Sequence, residues 1–255
     1  MIEKGENKMN NQLNNVNEES MEMKTFFENL ESKMREYRFL SDNPVVKRIK
    51  AGKGSKQFLV ETVNDYAGLV VFIVPFLAKA QYSLKKFPEI VKELKQNISE
   101  ERGAKTQGIT HHDLLNRGLL LEKEITICKN DWTNETLEFL YGIDEAMHEQ
   151  KKNPSFVAGM IYALEDSATP ELAIIVTQLL SAIQSDSTAH AEISLKDFVQ
   201  MHTEDFEPGH RDRFAEAVAG YLGSGALSQK EFTAGFITIM DMMEVWWQEL
   251  AQSQS

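Results

Sequence analysis

Apolar residues recur every three or four positions along nearly the whole chain from about residue 24 onward, which is the spacing of one buried helix face. No Asn-Gly or Asp-Gly turn joins alternating runs, so hairpins have no support and the pattern predicts an all-α fold. Phe26, Phe27, Leu30, Met34 and Tyr37 line a first helix that Asn43-Pro44 should end, because the residue before proline avoids the α region. A second helix is expected from about Lys56 to Lys85, kinked at Pro75, and a third opens at Pro88 with Ile90, Val91, Leu94 and Ile98 inward. Beyond the glycine-bounded loop from Gly103 to Gly108, further helices are predicted at about 111–129, 134–151, 155–167, 170–185, 194–206 and 210–222. Thr169-Pro170 reads as a helix start and Pro208-Gly209 as an interruption. Ser228-Gln-Lys-Glu231 is a capping-box pattern opening a last helix through Trp246-Trp247. Met240, Met242 and Met243 on that helix read as core, and Lys47-Arg48-Ile-Lys50 as a solvated loop.

No fixed-period repeat or long linker divides the chain, so residues 24–252 are expected to form one domain preceded by a mobile Asn/Glu-rich tail, 1–23. Its 255 residues, 42% of them hydrophobic, suffice for a single large core. The most apolar run, residues 67–78, is shorter than the ~20 residues that cross a bilayer and contains Pro75, so it reads as a buried helix. A net charge of −12 opposes phosphate backbones and anionic membrane surfaces, which excludes nucleic acid and membrane as expected partners. A single cysteine, Cys128, allows neither an internal disulfide nor a thiolate zinc site and fits a cytoplasmic location as a buried small hydrophobe. No phosphate-binding glycine motif occurs. The expected partner is a small-molecule substrate, with a homodimer as an option.

Any metal must therefore be held by histidine and carboxylate, the ligand set of non-haem iron and manganese. Two segments concentrate those residues: 100–115, with Glu100, Glu101, His111, His112 and Asp113, and 198–210, with His202, Asp205, Glu207 and His210. Between them Glu165 ends the apolar run Gly159-Met-Ile-Tyr-Ala-Leu where the period predicts burial, and a buried carboxylate needs a cation, a proton or a hydrogen-bond donor. Glu207 and His210 are i,i+3 and share a helix face. Glu145-x-x-His148 and Glu207-x-x-His210 also match the motif of ferritin-like di-iron bundles, although Pro208 argues against an unbroken helix there and His148 fits an exposed helix end.

The ordered set Tyr66…Pro75-Phe-Leu77, Asn97-x-x-Glu-Glu-x-Gly103, His112-x-Leu-Leu115, Gly159-x-x-Tyr-Ala-Leu-Glu165 and Phe198-x-x-x-His202…Asp205…His210 resembles the haem-oxygenase-like di-metal oxidases. That superfamily includes the Chlamydia protein associating with death domains and has relatives in thiaminase II and the pyrroloquinoline-quinone biosynthesis protein C. The resemblance implies a haem-oxygenase-like bundle of seven to eight helices that holds two iron ions, or iron with manganese, on three histidines and three carboxylates. Carried over, the ligands would be Glu101, His112, Glu165, His202, Asp205 and His210, with His111 and Glu207 as alternates. The family's last motif is His-x-x-x-Asp/Glu-x-x-His, whereas here the histidines are one residue further apart and Pro208 intervenes. Either a bulge absorbs the extra residue, with Asp205 between the histidines, or His202 is not a ligand. The gap from Glu101 to His112 is also longer than the family's, which keeps His111 open. The implied activity is an oxidase or oxygenase using O2 on a small organic substrate such as an amino acid or fatty acid derivative. The competing expectations are a metal-free enzyme like thiaminase II or the quinone-biosynthesis protein, and a non-enzymatic helical interaction protein.

Overall fold

The computed structural model describes residues 21–123, 126, 132–174, 178 and 207–253. Among these the chain is helical with no strand: α1 (21–36), α2 (Arg38–Ser41), α3 (Pro44–Lys50), α4 (Lys56–Ser83), α5 (Pro88–Glu101), α6 (His111–Lys123), α7 (Asn134–Glu149), α8 (Pro154–Ile174), α9 (Glu207–Gly223) and α10 (Gln229–Gln252). Residues 21–23, assigned to the tail by the sequence, are already helical, and Met23 is buried. The helices expected at 194–206 and beyond residues 123 and 174, and Cys128, lie outside the described residues.

Two expectations from proline and charge are corrected. Asn43-Pro44 opens a helix as well as closing one: the Asn43 side chain accepts from Val45 N and Val46 N, and Pro44 occupies the first turn, where a missing N–H costs nothing. The basic stretch read as a loop is thus α3, anchored by Val45 and Val46 beneath it. Helix α8 also runs through Thr169-Pro170 without a restart. Pro170 forfeits one helical hydrogen bond. Burial continues past it, however, through Ser167, Glu171 and Leu172, so packing outweighs the local penalty.

The last helix sits at the centre of the bundle. α10 packs on α8, α7, α3 and α2, while α9 lies across α8 and α5, and α4 contacts α5, α6, α7 and α8. Trp246 stacks on Phe139 at 4.5 Å and 3° and donates its indole N–H to Thr136 Oγ1 at 2.9 Å. Phe232, Phe236, Ile239, Met240, Met243 and Trp247 complete its inner face. α8 and α10 approach backbone to backbone. A Cβ on Gly159 would lie 1.9 Å from the Phe232 carbonyl oxygen, and one on Gly235 would lie 2.0 Å from that of Phe156. Helix α4 is the one described helix long and apolar enough to cross a membrane, yet Phe58, Tyr66, Phe76 and Leu77 are buried inside the bundle. The capping box is half realised. Ser228 Oγ accepts from Glu231 N, but Ser228 N donates to Ser155 Oγ at 2.9 Å and Glu231 turns to Asn153, tying the start of α10 to α8.

Candidate metal centre

The site begins at the last turn of α5. Glu100 and Glu101 are both buried, and because consecutive helical side chains diverge by about 100°, they address different helices. Glu101 Oε1 lies 3.0 Å from His111 Nδ1 on α6, and Glu100 Oε2 lies 2.8 Å from His210 Nε2 on α9. The chain returns from α5 to α6 through a tight loop. Gly103 (φ +96°) presses on the backbone at Gly108 and Ile109, where a Cβ would meet atoms at 2.6–2.7 Å, and Gly108 N donates back to Gly103 O at 2.8 Å. Thr110 Oγ1 then accepts from Asp113 N, so α6 starts with His111 facing inward and fully buried.

Carboxylates at a helix C-terminus sit at the negative end of its dipole, so this placement needs positive charge nearby. For Glu100 it is supplied: Lys105 Nζ lies 2.7 Å from Oε1, Arg213 Nη2 3.2 Å from Oε2, and Gln96 donates at 3.0 Å. Burial opposes its ionisation, but the hydrogen bonds from Lys105, Gln96 and His210 outweigh that and bring its pKa down to about 2. Glu100 therefore stays charged and orients the His210 ring through Nε2.

Glu165 on α8 meets the other ring nitrogen. Asn97, one turn before Glu101, donates Nδ2–H to Glu165 Oε1 at 2.6 Å, which leaves Glu165 Oε2 directed at His210 Nδ1 across 3.7 Å. That distance is too long for a hydrogen bond. It matches the ~3.0–3.7 Å between two ligand atoms that share an ion at ~2.1 Å with angles of 90–120°. A histidine with one nitrogen on a carboxylate and the other facing a second carboxylate is the arrangement that orients metal-bound imidazole. The donor set fits a hard or borderline divalent cation. Among the described residues, no three His, Cys, Asp or Glu side chains converge closely enough to hold an ion by themselves. The pairs Glu101–His111 and Glu165–His210 would thus need further ligands. Glu101 and Glu165 also open onto one cavity, walled by Tyr66, Leu69, Ile73, Leu164 and Leu172. On its other side Glu165 borders a more open cavity with Arg35, Asp166 and Arg211. There burial raises Asp166 to about 6 against the pull of Arg211.

Of the residues singled out in the sequence, Glu101, His111, Glu165 and His210 are brought together. His112 follows on the first turn of α6, largely buried, with its Nδ1 3.7 Å from Asp113, and Glu207 begins α9. His202 and Asp205 lie outside the described residues. Glu145 and His148 are exposed on α7, so the ferritin-like pairing with His210 does not form. Sequence reasoning named Glu100 and Asn97 within its segments but gave neither its supporting role. The i,i+4 spacing of Asn97 and Glu101, with Glu100 between them, was the available signal.

A family model described as a domain of unknown function with solved structure, DUF3865, matches residues 29–253. The chain belongs to the DUF3865 family. Two crystal structures of a CADD-like protein of unknown function from Nostoc punctiforme superpose on this DUF3865 chain. One, at 2.00 Å resolution, has a TM-score of 0.80 and 26% identity over 91% of this chain and 98% of that one. The other, at 1.35 Å, has a TM-score of 0.79 and 27% identity over 91% and 95%. The haem-oxygenase-like, all-α expectation agrees with this likeness to CADD-like proteins. No functionally curated protein matches the chain.

Proposed function

We propose that this DUF3865 protein is a non-haem metal-dependent oxidase or oxygenase acting on a small organic substrate. Two iron ions, or iron with manganese, would be held by Glu101, His111, Glu165 and His210 together with ligands from 198–207, where His202, Asp205 and Glu207 are the candidates. His112 is the alternate to His111. The observation that carries the reading is the relay Glu100–His210–Glu165. It keeps two buried acidic groups on either side of one imidazole and leaves a cation-sized separation between His210 Nδ1 and Glu165 Oε2.

Bound iron would supply O2 activation and open coordination positions for a substrate. The protein's own residues do the rest. Glu100, fixed by Lys105 and Arg213, holds the His210 Nε2 proton and so sets which nitrogen faces inward. Asn97 locks one oxygen of Glu165. Leu69, Ile73, Leu164 and Leu172 keep water from the cavity side, which protects reactive species from quenching.

The test is metal analysis of untagged protein reconstituted anaerobically with ferrous iron. About two equivalents per chain are expected. His210→Ala and Glu165→Ala should lose most of that iron, and both should lose iron-dependent O2 consumption. Binding below about a tenth of an equivalent, or full iron retention in both variants, overturns the reading.

A further inference from the structure

Glu171, about one and two-thirds turns beyond Glu165 on α8, lines the same cavity as Glu101 and Glu165 and is only 1% exposed. Its partners are all neutral. Trp247 donates its indole N–H to Oε1 at 2.6 Å. Ser167 Oγ lies 3.4 Å from Oε2 but is as close to Met243 Sδ and 3.5 Å from Leu164 O, so its single proton is shared among three weak acceptors. No cation lies within ion-pair distance of Glu171 among the described residues, although an ionised carboxylate so deeply placed is costly without one. Burial accordingly raises its pKa to about 7, with Trp247 and Ser167 opposing.

The cavity explains where a cation could come from. The described wall residues are aliphatic (Leu69, Val70, Ile73, Leu164, Leu172) or acidic, with Tyr66, and none is Lys or Arg. Beside Glu171 a ligand carboxylate would meet an acidic group whose described partners are neutral. A ligand carrying an ammonium would find in Glu171 Oε2 an acceptor that only the long, shared Ser167 hydrogen bond engages, and apolar walls for the remainder of its body.

We propose that this cavity binds a primary amine on a small apolar body, and that Glu171 is the residue that selects the amine by accepting its N–H groups. The proposal rests on the metal reading only in taking Glu101 and Glu165 as occupied by the ions, which leaves Glu171 as the carboxylate free for the ligand.

The test uses the full chain, with and without bound iron, and three probes of equal length at fixed ionic strength: n-hexylamine, n-hexanol and n-hexanoate. Thermal melting is followed by circular dichroism as each probe is titrated. Hexylamine should raise the melting temperature saturably, hexanol weakly and hexanoate not at all. Glu171→Gln keeps an oxygen for Trp247 but removes the charge, so its apparent affinity for hexylamine should fall about tenfold or more while the hexanol response persists. Trp247→Phe, which keeps the carboxylate, should retain the amine preference, separating ligand binding from the structural tie. Equal responses to hexylamine and hexanoate, or an unaltered hexylamine response in Glu171→Gln, overturn the proposal. Iron content of the same samples is read separately: protein that takes up no iron on reconstitution yet prefers hexylamine through Glu171 would sink the metal reading alone.

Discussion

Adding one methyl group to Gly159 should be among the most disruptive single changes in this protein. The new Cβ would lie 1.9 Å from the Phe232 carbonyl oxygen, against about 3.3 Å for an ordinary C···O contact, so α8 and α10 must separate by roughly 1.4 Å locally. No side chain can rotate away, because the obstacle is main chain on both sides, and Gly235 against Phe156 resists the same separation. A radial gap of 0.5–1 Å already forfeits about a quarter to a half of each dispersion contact. Phe232, Phe236, Ile239 and Met243 line this interface. We therefore place Gly159→Ala at or above the top of the usual range for overpacking, about 3 kcal/mol. For a domain of this size that is a fall of about 6–12 °C in melting temperature. The assay is thermal melting by circular dichroism beside Gly220→Ala, which adds the same methyl to a helical position with nothing within 4 Å. The control should gain about 0.5–1 kcal/mol from propensity. A Gly159→Ala melting temperature within about 1 °C of wild type would refute the reasoning, since the helices would then separate at negligible cost.

Glu165→Ala should lose metal, whereas Glu165→Leu should lose metal yet melt at or above the metal-free wild type, because an apolar side chain replaces a buried charge; a Leu variant that melts well below it would count against this. Asn43→Ala removes the cap on Val45 and Val46 and leaves the Phe39 carbonyl without its side-chain donor, at a cost of about 1–2 kcal/mol, readable as a lower urea midpoint. Glu171 and Asp65 have native pKa values of about 7 and about 6, both raised by burial above their unfolded values. The native state then holds more protons than the unfolded state between about pH 4 and 7, so their contribution to stability falls as pH rises through that window. Glu171→Gln should flatten the decline in urea midpoint from pH 5 to 7.5, and an unchanged slope would be the contrary result. Glu100 acts in the opposite sense. Its native pKa is lowered to about 2, so its contribution is full above about pH 4.5 and fades as pH falls toward 2.

Much of the bundle could be read from helical periodicity, because α5, α7 and α10 each bury one face at the predicted spacing. Proline misled the reading where packing outweighed local cost, as at Pro170, and where one Asn-Pro pair served both to end and to start a helix. At the site, composition pointed to the right segments but could not fix rotation. His111 and His112 differ by about 100° on their helix, and the tight Gly103–Gly108 loop with the cap at Thr110 sets the rotation that brings His111 against Glu101. Glu100 and Asn97 stood in the motif without a role because their work is to hold other side chains, and such support depends on tertiary contacts with α8 and α9 that no local spacing encodes. Glu171 lay hidden in the same way, its role set by Trp247 far along the chain.

The paired glutamates at the end of α5 also divide this part of the chain into lengths that can be edited and lengths that cannot. A single residue inserted or deleted between Asn97 and Glu101 would turn part of the set that meets α6, α8 and α9 by about 100°, disconnecting several contacts at once. A few residues further on the constraint disappears. Gln107 and Gly108 form the tip of the return loop, a Cβ on Gly108 would meet nothing within 4 Å, and the hydrogen bond from Gly108 N to Gly103 O closes the base beneath them. An engineer seeking a port for a fluorescent domain or an affinity handle should therefore splice at the exposed tip between Gln107 and Gly108, beyond Lys105, which holds Glu100, and beyond the buried Thr106.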